Sequence, residues 1–221
     1  MVLKWSTSSK IAVNRKQRTR LSIENFWQIH EAAPVWLQVA LEMSLVTLQA
    51  RRECVDMQYA HIVDGELHVV RKKTAGDSAC AFIRIPVTDT IQQTIAKSRL
   101  DEILSPYIVH MRPASMRSQH LKNKEHWSAV TPDYLSKTFK RIRDQVGVGK
   151  ELEPRQRPTF HEVRSLGGRT YIELGRPKQF VQALMTHSDE KVTDIYLAGG
   201  ELETRHYRQV VADMALDQLS R

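Results

Sequence analysis

The segment from Pro34 to Leu48 constrains the fold most. Val35, Val39, Leu41, Leu45, Val46 and Leu48 make it a helix that belongs in an interior. Gln38, Glu42 and Ser44 interrupt the apolar run, so it falls short of a membrane span. Pro34 occupies a favoured first-turn position. The flanking sequence supplies further helices. Ser22 is expected to cap one over Ile23 to Ala33, and a short one follows through Glu53 to Gln58. Thr88 starts another that runs to about Arg99. Four more are expected over Pro132 to Val146, His161 to Leu174, Pro177 to Thr186 and Glu190 to Leu197. Gly147, Gly149, Gly175 and the pair Gly199-Gly200 punctuate them.

Between these helices lies a strand pattern. Asp64-Gly65 signals a turn, Leu67 and Val69 alternate, and the chain breaks over Lys73 to Asp77. Phe82, Ile83 and Ile85 then complete a hairpin. Tyr107 to Val109 reads as a short strand, and residues 112–130 as a polar surface loop. The expected fold class is mainly α with a small antiparallel β-sheet, an α+β domain. Residues 1–20, with Arg15, Lys16, Arg18 and Arg20, read as a flexible basic leader or linker. Residues 21–200 form the main domain. Residues 201–221 form a C-terminal tail whose apolar points are Val210, Val211, Met214, Leu216 and Leu219, expected either to be exchanged between subunits or to pack on its own domain.

Composition narrows the function classes. Apolar residues are 41% of the 221, enough for a core, and charged residues are 26%. The net charge of +8 suits a polyanionic partner such as nucleic acid, although many soluble proteins are mildly basic. The 2 cysteines, Cys54 and Cys80, have no metal-like spacing and no disulfide framework, which fits a reducing cytoplasm. Met1 to Lys10 lacks an apolar secretory core.

Local patterns carry the chemistry. His161 and Arg164 stand at i and i+3, where a helix presents both to one anion. Met185-Thr186-His187 follows an apolar helix, and Tyr196 lies nine residues after His187. Singly, each has a bland explanation: a capping histidine, or a tyrosine in a core. Their order along the chain is harder to obtain by accident.

That order resembles the tyrosine recombinase, or phage integrase, family. Pro158 to Leu166 looks like its HxxR box, Leu184 to His187 its leucine-glycine-histidine box, and Thr193 to Tyr196 its nucleophile segment. Lys73 sits where the family carries a β-hairpin lysine, and Thr47 to Glu53 resembles the first arginine box. The resemblance runs from about residue 20 to residue 200 and implies the fold of a tyrosine recombinase catalytic domain. Two positions depart from the pattern. The first box usually has its arginine three residues before the acidic residue, and counting back from Glu53 lands on Ala50. Arg51 is taken for the role, with Arg52 second. Thr186 replaces the glycine before His187. No room is seen for the N-terminal DNA-binding domains usual in the family, so the chain is expected to be part of a longer protein.

The resemblance implies a site of Arg51, Lys73, His161, Arg164, His187 and Tyr196. Tyr196 attacks a phosphodiester to leave a 3′-phosphotyrosine. Arg51 and Arg164 stabilise the charge that builds on the non-bridging oxygens, since guanidinium groups offer a planar fork of donors. His187 adds a hydrogen bond, His161 accepts or holds the tyrosine proton, and Lys73 protonates the leaving 5′ oxygen. No cofactor and no metal are expected. The implied partners are double-stranded DNA carrying specific recombination sites and further copies of the chain, a tetramer on DNA and a monomer without it. Accessory DNA-bending proteins fit the same scheme, and no membrane is involved. The implied setting is the cytoplasm of a bacterial host, at the nucleoid. Alternatives are a DNA-binding prophage remnant with impaired catalysis, a type IB topoisomerase-like relaxer and, more distantly, a metal-dependent nuclease.

Overall fold

The computed structural model describes residues 19–71, 82–114, 124–185 and 208–219. Helix α1 (Ile23–Ala32) starts where Ser22 Oγ accepts from the Asn25 amide at 3.1 Å. It ends before Pro34, which disfavours helical geometry at the residue ahead of it. Helix α2 (Val35–Thr47) begins one residue later than its sequence suggests, with Pro34 as the N-cap residue. Leu37, Val39, Leu41 and Leu45 are fully buried, because α2 runs through the middle of the helical layer. It packs against α1, against α3 (Arg51–Asp56), and against α4 (Asp89–Ser98). It also meets α5 (Pro132–Gln145) and α6 (His161–Glu173). Helix α7 (Lys178–Leu184) follows α6 and packs on it. None of the described helices is long and apolar enough to cross a membrane.

The sheet has the order β1-β2-β3-β4. Strand β1 (Ile62–Val63) turns at Asp64 and Gly65, both with positive φ, into β2 (Glu66–Val70). β2 pairs antiparallel with β3 (Phe82–Pro86), so that the buried residues Leu67 and Val69 lie opposite Ile85 and Ile83. The fourth strand, β4 (Arg208–Gln209), runs parallel to β3. The sheet is therefore mixed rather than wholly antiparallel. The chain returns to β3 only after passing through α4 to α7, and a long connection of that kind permits a parallel pairing. Beyond β4, Val210, Ala212 and Met214 are buried in the chain's own core, and Thr88 Oγ1 donates to the Ala212 carbonyl at 3.0 Å. Tyr107 and His110 form only isolated bridges, to Gln58 and Ala129, in place of the expected short strand. The end of the 112–130 loop turns inward, with Ser128 and Val130 buried. The expected helix over Glu190 to Leu197 lies outside the described residues.

A side chain at Gly167 in α6 would collide with the backbone carbonyl of Leu45, so glycine is what lets α6 cross α2 this closely. The one carboxylate inside α2, Glu42, is buried, and three neighbours hold it. His30 Nε2 and Lys97 Nζ each lie 2.7 Å from Oε1, and Thr94 Oγ1 donates to Oε2 at 3.0 Å. Burial pushes the carboxyl pKa up, but the hydrogen bonds from His30 and Lys97 outweigh it and hold Glu42 below the ordinary value of 4.5. A carboxyl pKa depressed by folding contributes stability above its unfolded value and loses it as pH falls through the folded one. Glu42→Gln is expected to cost about 1.5–3 kcal/mol at neutral pH. In urea unfolding, the gap from the parent should narrow steadily once pH drops below the ordinary glutamate range. A constant gap down to acid would show that the charge of Glu42 does not contribute.

Candidate active site

The first arginine box folds into a turn and a helix start. α2 ends at Leu48, whose left-handed φ of 56° redirects the chain, and Gln49 then points fully inward. Gln49 Nε2 donates to the carbonyl of Thr47 and to that of Leu184, both at 2.8 Å. It thereby fastens the α2–α3 turn to the end of α7. Ala50 is the N-cap residue of α3 and Arg51 its first residue. Arg51 Nη1 donates to Ser136 Oγ at 2.9 Å and lies 3.5 Å from Asp133 Oδ1, so its guanidinium turns toward α5. Arg52 pairs with Asp56 along its own helix at 3.3 Å, and its side chain is 62% exposed.

His161 opens α6 and is exposed. It shares a cleft of about 590 Å³ with Ala50, Arg51, Lys137, Lys140 and Thr159. Arg164, one turn further along α6, is only 4% exposed and bonds elsewhere: its Nη2 donates to the Met185 carbonyl at 2.6 Å. Burial lowers the Arg164 pKa to about 10, with the charge of Arg71 acting in the same direction and that of Glu53 opposing. Arg71, at the end of β2, donates from Nη1 to the same Met185 carbonyl at 3.2 Å. Glu53 is buried in α3, and burial also pushes the Cys54 thiol far up, so Cys54 is a packed apolar residue rather than a nucleophile.

The structure brings Arg51 and His161 to one cleft, and Arg164 to the residue that precedes Thr186-His187. Lys73, His187 and Tyr196 lie outside the described residues. Sequence reasoning had singled out neither Gln49 nor Arg71 nor the basic wall of α5. The spacing of Lys137, Lys140 and Arg141 at i, i+3 and i+4 was the available signal for that wall. The contacts of Gln49 and Arg71 with the end of α7 carry no local signal, since they span 135 and 114 residues. Among the described residues no group of His, Cys, Asp or Glu is arranged to hold a metal ion.

Residues 19–201 match the model of the Phage integrase family. The chain belongs to that family. It is 30% identical over 194 residues to the integrase of Escherichia phage HK022, an alignment that covers 86% of this chain and 50% of that protein. The chain spans about half the length of the curated relatives it matches. The lambda integrase catalytic core superposes with a TM-score of 0.59 at 31% identity, covering 77% of this chain and 96% of that one. A lambda integrase tetramer bound to a Holliday junction is similar at a TM-score of 0.60 and 30% identity, with 79% of this chain and 48% of that chain covered.

Gln49→Leu keeps the volume of the side chain but strands the Leu184 carbonyl. It is expected to cost about 1–3 kcal/mol in chemical denaturation. Amide exchange should accelerate most in α7. Loss of stability spread evenly over the chain would show that Gln49 is not the tie between these segments.

Proposed function

We propose that the chain is the catalytic domain of a site-specific DNA recombinase, which cuts and rejoins strands through a 3′-phosphotyrosine on Tyr196. The observation that carries this reading is the convergence of the HxxR arginine, Arg164, on Met185, two residues before His187. That contact unites two boxes that are remote in sequence, and Tyr196 follows nine residues later. The phenol oxygen of Tyr196 attacks phosphorus as the bond to the 5′ oxygen breaks. His161 takes the phenolic proton and Lys73 delivers one to the leaving oxygen. Tyrosine needs such a base because its pKa of about 10 leaves it neutral at pH 7. Arg164 and Arg51 meet the charge that grows on the non-bridging oxygens, and His187 adds a donor. The phosphotyrosine keeps the bond energy, so rejoining needs neither ATP nor a divalent ion.

The basic cleft with Arg51, Lys137, Lys140 and His161 suits the DNA backbone near the cut. The partner is double-stranded DNA with specific sites, and the assembly on it is a tetramer, as the lambda integrase tetramer on a Holliday junction suggests. The segment from β4 onward, which packs on this chain's own core here, is the one we propose to exchange between subunits on DNA. Its β4 has only 2 residues on the sheet, a short pairing that is readily exchanged. One observation favours a second reading, a DNA-binding chain with impaired catalysis: Ala50 stands three residues before Glu53, where the family pattern has an arginine.

Covalent capture separates the two readings. Incubated with a pool of nicked duplexes of randomised sequence in excess chelator, the parent chain is expected to form an SDS-resistant adduct. Tyr196→Phe should form none while binding DNA almost as tightly. A parent adduct that appears only with added Mg²⁺, or one that survives in Tyr196→Phe, overturns the mechanism. Within the same assay, Arg51→Ala is expected to slow adduct formation by about 10²–10³. Arg52→Ala should slow it by no more than about threefold, as for an exposed ion pair. The reverse ranking would transfer the role to Arg52.

A further inference from the structure

The C-terminal end of α7 draws two guanidinium groups to a single carbonyl. The Leu184 carbonyl is satisfied by a neutral donor, Gln49 Nε2, at 2.8 Å. The next carbonyl, Met185, draws two guanidinium groups, from Arg164 at 2.6 Å and Arg71 at 3.2 Å. A carbonyl oxygen can accept both bonds but has no net charge to offset the repulsion between the cations. That repulsion acts with burial to lower the Arg164 pKa, and Glu53 opposes it only in part. Two planar forks of donors therefore meet at one point. A tetrahedral oxyanion fits that arrangement, because each fork can take a pair of its oxygens.

We propose that Arg71 is a further guanidinium of the phosphate site, gripping the non-bridging oxygens of the cleaved phosphodiester together with Arg164 and in addition to Arg51. The proposal rests on the reading of the chain as a DNA strand transferase. Position supports it. Arg71 directly follows β2 and precedes Lys73 by two residues, so it ties the strand that leads to Lys73 to the helix that leads to His187. Ala50, on the wall of the basic cleft, offers only a methyl group, and Arg51 beside it is engaged with Ser136 and Asp133 on α5. Arg71 thus adds, from the sheet side, a guanidinium beside Arg164, in addition to the one that Arg51 carries on the cleft wall. If Arg71 were merely a cap for the Met185 carbonyl, a neutral donor would serve as well, as Gln49 does one residue earlier.

Arg71→Gln tests this in the 221-residue chain, because glutamine can still donate to Met185 but carries no charge. Adduct formation is measured on a nicked duplex taken from the randomised pool, and on the same duplex with a methylphosphonate at the cut, which removes the charge of one non-bridging oxygen. Arg71→Gln is expected to slow adduct formation about 10²-fold on the phosphodiester and by less than about tenfold on the methylphosphonate. Arg71→Lys should fall between parent and Arg71→Gln. Thermal midpoints should agree within about 2 °C. A parent-like rate for Arg71→Gln overturns the proposal in favour of a cap, and an equal loss on both substrates overturns it in favour of a positioning role. A second readout needs no catalysis. Titrated with inorganic phosphate, the Nε–H resonances of Arg71 and Arg164 should shift with a common midpoint, and Arg71→Gln should weaken the Arg164 response at least about fivefold, as the loss of one charged donor requires. Were the parent to form no adduct, the strand-transferase reading would fail while this titration still decided the phosphate site. An unmoved Arg71 signal, or an unchanged Arg164 midpoint in the variant, overturns the proposal.

Discussion

The last carbonyls of α7 are the constraint on which the site depends. A helix cannot satisfy its own final carbonyls; that of Leu184 is buried and that of Met185 part-buried. Gln49, Arg71 and Arg164 reach them from the end of α2, the end of β2 and the first turns of α6. One short helix end therefore fixes the relative positions of the segments that bear the first box, the lysine hairpin and the HxxR box. It also fixes where the chain departs toward His187 and Tyr196. The cost of leaving a buried carbonyl unpaired, about 1–3 kcal/mol, is what makes this junction rigid.

Behind the junction stands α2. Its sequence is apolar on nearly every side, and the fold answers by surrounding it with helices. Gly167 permits one of these, α6, to approach the Leu45 backbone closely, which sets the depth at which Arg164 is buried. The hydroxyl of Tyr171, further along α6, donates to the Val46 carbonyl at 2.8 Å and strengthens the same contact. On the other side of α2, Glu42 gathers His30, Thr94 and Lys97 and so locks α1 and α4 in register. The candidate cleft and Arg164 thus sit on helices whose positions are over-determined by close packing and buried hydrogen bonds.

Local signals made much of this legible. Ser22 capped α1 as its type suggested, Asp64-Gly65 made the turn before β2, and the apolar period placed α2 and α5 within a residue or so. The spacing of Arg164 to His161 makes the pair a candidate anion site, yet the two side chains part company: one lines an open cleft while the other is buried against Met185. Spacing on a helix fixes direction but not burial, which depends on what packs there. The role of Arg71 was not legible, because nothing nearby in sequence shows that the end of α7 lies next to it. The parallel pairing of β4 was hidden for the same reason, since its register with β3 is set by a return across most of the chain. Ala50 was visible as a departure from the family pattern, and the structure gives that departure a consequence by leaving a methyl group on the cleft wall.

The central claim is that the phosphate held by the arginines is attacked by Tyr196. Mass spectrometry of the trapped protein–DNA complex, digested with trypsin and nuclease, tests it most directly. The residual nucleotide should be found on the peptide of residues 192–205, attached to Tyr196 through a phosphodiester bond. A nucleotide on any other residue, or strand cleavage with no covalently modified peptide, would contradict it.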